Sequence, residues 1–147
     1  MPREFKTILC PTDFSNHSAR AIEYGVRFAR SSQGLLLLAH VIHIPTEHYR
    51  DQLGHVMPFD DLKIGVQLKL QEMRDKYVGD YDKCELITEI GDPYEQLMGI
   101  VDKRNVDLLI TSTHGRTAID HLVMGSVAEK IVRHSTCPVF IVRRGVA

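Results

Sequence analysis

The 147-residue sequence has no long apolar run: the longest, Leu35 to Ala39, falls far short of the roughly 20 residues a bilayer demands. A membrane-spanning helix is therefore excluded. Cysteine is scarce, and Cys10, Cys84 and Cys137 are odd in number and widely spaced, which fits neither a disulfide framework nor a paired metal motif. All three read as small buried residues. Neither sign of charge dominates: 18 Lys plus Arg stand against 19 Asp plus Glu, a net charge of -1, so no broad basic field draws the chain to nucleic acid or an anionic membrane. The start, Met1-Pro2-Arg3-Glu4-Phe5-Lys6, lacks the apolar region and cleavage site of a secretory signal, and a cytoplasmic location is the expectation. Also missing are G-x4-G-K-S/T, G-x-G-x-x-G, G-x-S-x-G and H-E-x-x-H, the common engines of NTPases, dehydrogenases, hydrolases and zinc proteases. There is no internal repeat and no low-complexity tract.

What is present is enough apolar residue, 44 %, to build one core, and the length favours a single domain over residues 1–147. Strand and helix patterns alternate along it. Phe5 to Cys10 is a short apolar run closed by Pro11, and Ser15 can cap a helix that runs to about Ser32 before Gly34 ends it. Leu35 through Ile42 is nearly all apolar, as in a strand buried on both faces. From His43 to about Pro58 the chain is polar and aperiodic, a long loop. Helical spacing returns from Phe59 to about Tyr77, with Leu62, Val66, Met73 and Tyr77 available to a core face. Cys84 to Ile90 reads as a less apolar strand suited to an edge or near-edge place. Asp92-Pro93-Tyr94-Glu95 has the form of a helix start, with Asp92 as cap and Pro93 where its missing N–H costs nothing. That helix runs to about Arg104. Asp107 to Ser112 is a fourth strand, Gly125-Ser126 opens a helix through His134, and Pro138 to Val142 is a fifth strand. The alternation predicts an α/β fold: a parallel sheet covered on both faces, with ligands favoured beyond the strand carboxyl ends where the strand order reverses.

The fourth strand is followed by Ser112-Thr113-His114-Gly115-Arg116 and a connection to Gly125-Ser126 at a helix start. Glycines admit close approach of backbone N–H groups to an anion, a helix N-terminus adds partial positive charge, and Ser126 offers a hydroxyl. The other reading is a tight turn at Gly115 and an ordinary Gly-Ser helix start. Asp13, at a strand's carboxyl end, suits a ribose hydroxyl or a base amino group, or serves with Ser15 to cap the first helix. His114 reads first as a turn residue, although its ring is suited to donate to a phosphate oxygen. His40, His43, His48 and His55 crowd the second strand's end and the long loop at spacings that match no compact zinc motif. Arg143-Arg144 is a solvated strand-ending pair or part of a partner surface.

Gly115, nine residues, Gly125-Ser126, then Val127-Ala128-Glu129 and Cys137-Pro138-Val139-Phe140-Ile141-Val142, together with Pro11-Thr12-Asp13-Phe14-Ser15, Val41 and Thr113-His114-Gly115-Arg116, strongly resemble the universal stress protein family over the whole chain. The resemblance implies a five-stranded parallel sheet in the order 3-2-1-4-5, the fold of the adenine nucleotide alpha-hydrolases. In the nucleotide-binding branch of the family the motif is G-x2-G-x9-G-S/T. The resemblance then assigns Gly115, Gly125 and Ser126 to phosphate contacts, Arg116 and Val127 to places beside the phosphates, and Pro11, Thr12, Asp13 and Val41 to the adenosine end. The motif's first glycine falls on Ser112, which either crowds the ribose or supplies an equivalent small polar contact.

The expected function is binding of ATP or another adenine nucleotide as a stress-response or regulatory switch, with magnesium or manganese bridging the phosphates. No base or attacking nucleophile is positioned by the sequence, so little or no turnover is expected and no residue is assigned as catalytic; slow hydrolysis or autophosphorylation stays open. PP-loop enzymes of related fold place a glycine-rich loop directly after the first strand, whereas Pro11 to Ser15 has no glycine, which argues against an adenylating enzyme. The resemblance also implies a homodimer joined through residues 139–143, an apolar edge that needs covering, and a protein partner that the sequence does not name. The alternative is a nucleotide-free homodimeric interaction module in which Ser112 marks a lost site and the His43 to Pro58 loop recognises a partner.

Overall fold

The computed structural model describes residues 4–56, 58–113 and 124–143. Nine elements follow in the order β1 (Thr7–Pro11), α1 (Asn16–Ser32), β2 (Leu35–Ile42), α2 (Phe59–Met73), β3 (Cys84–Ile90), α3 (Pro93–Lys103), β4 (Leu108–Ser112), α4 (Ser126–His134) and β5 (Val139–Val142). All strand pairs are parallel and the sheet order is β3-β2-β1-β4-β5. The chain thus winds outward from β1 in one direction through β2 and β3, crosses back, and winds outward in the other through β4 and β5.

Strict alternation along the central strands explains why their sequences are apolar throughout. Ile8 and Cys10, Leu36 and Leu38, and Leu108 and Ile110 enter a core with Ile22 and Val26 of α1 and Leu70 of α2. Leu9, Leu37, Ala39 and Leu109 face the other way, against Leu97, Ile100 and Val101 of α3 and Ile131 of α4. Each fully buried Leu or Ile contributes roughly 1.5–3 kcal/mol. Strands sandwiched in this manner have no polar face to spare.

The predicted caps form. Ser15 accepts the Ser18 N–H at 3.3 Å and Asp92 accepts the Glu95 N–H at 3.0 Å, with Pro93 in the first turn of α3. Three expectations need correction. α1 ends at Ser32 as expected, but the residue that caps it in the left-handed conformation is Gln33 (φ 54°), while Gly34 is glycine because a Cβ there would lie 2.7 Å from the Phe5 carbonyl oxygen. Of the expected core face, Val66, Met73 and Tyr77 pack against the core, but Leu62 is 49 % exposed, and the wholly buried residue of α2 is Leu70. Cys84 and Cys137 are only partly buried; Cys10 alone is wholly enclosed. Burial pushes the Cys84 thiol up to about 11 and raises that of Cys10 further still, with nearby Cys84 adding to the latter. The long loop after β2 contains a short 3₁₀ turn (Thr46–His48) and an antiparallel bridge between Arg50 and Val56. Among the described residues no helix is long and apolar enough to cross a membrane.

The two sheet edges differ in character. β3 carries Glu85 and Glu89, and Glu85 is held by Arg104 at 2.6 Å. β5 is Val-Phe-Ile-Val, its Phe140 ring meeting Phe28 at 5.3 Å and Tyr24 at 5.4 Å.

Gly25 is where α1 presses hardest on the sheet: a Cβ there would sit 2.3 Å from the Cys10 sulfur. Gly25→Ala is expected to destabilise the fold by about 1–3 kcal/mol despite the better helix propensity of alanine. The same change in a Cys10→Ala background should cost much less. Urea unfolding of the four proteins of the cycle checks this, and equal costs in both backgrounds would refute the contact.

Candidate functional site

At the strand carboxyl ends, where the order reverses between β1 and β4, lies a cavity of about 350 Å³. It is walled by the ends of β1, β2 and β4 and by the first turns of α3 and α4. Its cause is visible in the register: β1 pairs with β4 only at Ile8↔Leu108 and Leu9↔Leu109. Beyond that point β1 stays with β2, the Thr12 N–H reaching the Ala39 carbonyl at 2.8 Å, and β4 stays with β5, the Thr113 N–H reaching Val142 at 3.1 Å.

The β1–α1 connection is fixed by its own side chains. Ser18 Oγ donates to the Ser15 carbonyl at 2.9 Å, which uses its one proton, so in the 2.8 Å bond with Thr12 the Thr12 hydroxyl is the donor. The same Thr12 oxygen accepts the Phe14 N–H at 3.0 Å, and Asp13 Oδ1 accepts the Ser15 N–H at 3.0 Å. Phe14, left-handed at φ 68°, stacks on His40 with ring centroids 4.6 Å apart. His40 Nδ1 donates to the Thr12 carbonyl at 2.7 Å. The hydroxyl of Thr12 therefore serves the loop, while the Asp13 carboxylate stands on the cavity wall.

Two helix N-termini open on this cavity, and they are prepared differently. α3 is satisfied by Asp92 and by a proline that brings no N–H. α4 begins at Gly125, which has no side chain to offer its first N–H groups, and among the described residues it shows no side-chain cap. Of the two N-termini, α4 is thus the candidate seat for an anion. Gly125 has the extended φ of -60° and ψ of 153° that any residue adopts, and a Cβ there would meet nothing described closer than the Thr113 carbonyl at 3.5 Å, an ordinary contact. Neither backbone conformation nor packing among the described residues demands glycine. What its missing side chain does is leave that end of the cavity open to a ligand.

Of the positions singled out from the sequence, Pro11, Thr12, Asp13, Val41, Ser112, Gly125, Ser126 and Val127 all line this cavity. Gly115 and Arg116, with His114, lie outside the described residues. Sequence reasoning missed the buried apolar floor of the cavity, where Ala39, Leu97 and Ile131 lie, and gave His40 and His43 no role beyond rejecting them as zinc ligands. The alternation of Ala39, Val41 and His43 along β2 and its extension was the available signal.

Comparison with known proteins agrees with this fold. The model of the universal stress protein family matches residues 4–143. A universal stress protein of Bacillus subtilis is 27 % identical, over 95 % of this chain and 99 % of its own. One from Methanocaldococcus jannaschii is 26 % identical, over 95 % of this chain and 96 % of its own, and its solved structure superposes with a TM-score of 0.81 over 99 % of this chain and 100 % of that one, at 27 % identity in the structural alignment. A universal stress protein crystallised with cAMP has the same fold, with a TM-score of 0.74 at 23 % identity over 97 % of this chain and 100 % of that one.

Thr12→Val, which keeps the shape and removes the hydroxyl, should destabilise the protein by about 1–3 kcal/mol by stranding the Phe14 N–H and the Ser18 oxygen. The midpoint of urea unfolding reports it. An unchanged midpoint would mean that the hydroxyl does not hold the loop.

Proposed function

We propose, from the premise that this chain belongs to the universal stress protein family, that it binds an adenine nucleotide in the cavity between β1 and β4 and uses occupancy as a regulatory switch with little turnover. The observation that carries the reading is Gly125, a glycine that the described fold does not require, at the uncapped end of a helix facing a cavity. In this reading the α4 N–H groups and the Ser126 hydroxyl receive phosphates, and Gly115 and Arg116 complete the phosphate side. Asp13 accepts from the ribose hydroxyls, Ser112 lies beside the sugar, and Val41 stands beside the base. Support also comes from the related protein of the same fold that holds cAMP.

ATP is the favoured nucleotide, since a triphosphate extends furthest along the helix end. Among the described residues no group of three or more His, Cys, Asp or Glu is arranged to hold a metal ion, so magnesium or manganese would bind through phosphate oxygens and water. A switch rather than an engine fits the chemistry of the cavity wall, where each donor and acceptor is suited to holding a ligand. The β5 edge is the proposed seat of a homodimer, because an apolar edge strand left open invites pairing.

Protein purified without added ligand, then denatured, should release nucleotide on anion-exchange chromatography. The emptied protein should bind ATP with magnesium saturably in a calorimeter, and Gly125→Val should weaken that binding by at least about tenfold, or about 1.4 kcal/mol, without altering the fold. An empty protein that gives no heat at millimolar ATP would refute the reading. Ile141→Lys should convert the dimer to monomer; sedimentation showing an intact dimer would move the interface elsewhere.

A further inference from the structure

We propose that His43 selects the base of the bound nucleotide by accepting a hydrogen bond from an exocyclic amino group, and so discriminates 6-amino from 6-oxo purines. The inference rests on the nucleotide-binding reading above and adds a specificity residue to it. His43 borders the cavity at its rim: it is exposed and directly follows Ile42, the last residue of β2, two residues beyond Val41. Its Nδ1 lies 3.3 Å from the carbonyl oxygen of Gly91. A carbonyl only accepts, so Nδ1 carries the proton, and the neutral ring keeps its lone pair at Nε2.

The partner carbonyl is itself fixed. Gly91 donates its N–H to the Ile42 carbonyl at 3.0 Å and holds φ at 145°, a conformation closed to other residues, with the Gln96 side chain packed where a Cβ would go. The tautomer of His43 is thus set by backbone at the β3–α3 elbow. α3 is capped by Asp92 and begins with Pro93, whereas Gly125 offers α4 no cap of its own, so the proposed phosphate seat is at the β4 end of the cavity and the β2 end is left to the uncharged base. His43 stands at that end. A 6-amino group donates to the ring lone pair, whereas a 6-oxo group opposes it with another acceptor.

The test titrates the emptied protein with ATP and with inosine triphosphate, each with magnesium at pH 8, for the unaltered chain and for His43→Phe and His43→Gln. The unaltered protein should prefer ATP by about tenfold or more. His43→Phe, which keeps a ring and loses the acceptor, should bring the two affinities within about threefold, chiefly through weaker ATP binding. His43→Gln, which retains an acceptor, should restore part of the preference. Equal affinities in the unaltered protein, or a preference that survives in His43→Phe, would overturn the inference while leaving nucleotide binding intact. Binding of neither nucleotide would overturn both.

Discussion

The short pairing between β1 and β4 is the constraint from which the rest of the molecule follows. These neighbours share register only at Ile8↔Leu108 and Leu9↔Leu109, whereas β2 and β3 stay paired from Leu36↔Cys84 to Ile42↔Ile90. Right-handed crossovers that leave in opposite directions carry the chain after β1 toward one side of the sheet and the chain after β4 toward the other. A cavity then opens at the centre of the sheet's carboxyl end without any side chain being removed to make it. The apolar sandwich beneath is the cost of this plan, since central strands flanked by helices on both faces must bury every residue they contribute.

Glycine and serine divide the labour around that opening. Gly25 and Gly34 allow backbone and sulfur to come close, and Gly91 supplies a conformation other residues avoid. Among the described residues Gly125 does neither, and the proposed function gives it the space it leaves beside the cavity. Ser15, Ser18 and Thr12 form a closed set of hydrogen bonds that shapes the β1–α1 loop, so the loop holds its form through its own side chains. The β1–α1 side of the cavity is thus organised in advance, an arrangement that limits the ordering cost of any ligand held there.

Much of this was legible because the signals were local. β2 and β3 occupy the ranges that their apolar runs mark, and Asp92-Pro93 starts its helix where the cap chemistry requires. The strand order came through family resemblance, for alternation alone does not fix it. α2 was legible in part: Val66, Met73 and Tyr77 pack on the core at helical spacing around the wholly buried Leu70, whereas Ile64 and Leu68, apolar at intervening positions, are exposed and blur the stripe. Leu70, on the same stripe, was the residue left unnamed. Gln33 shows the same limit, since the adjacent glycine drew attention to the wrong residue while the true left-handed position carried a side chain. His40 and His43 were weighed as metal ligands because spacing along the chain was all that could be seen; the backbone carbonyls of Thr12 and Gly91 that set their tautomers are distant in sequence.

The unlike edges of the sheet bear on how far assembly can go. A strand of Val-Phe-Ile-Val invites a neighbour, whereas the opposite edge presents Glu85, tied to Arg104, and Glu89. Any pairing through β5 therefore finds no matching adhesive surface at the far end of the sheet from which to grow again. Contact between like edges closes on itself, whereas contact between unlike edges propagates. With one edge apolar and the other carrying charge, any association through the sheet would be finite, without the open-ended growth that threatens a protein whose two edges are both adhesive.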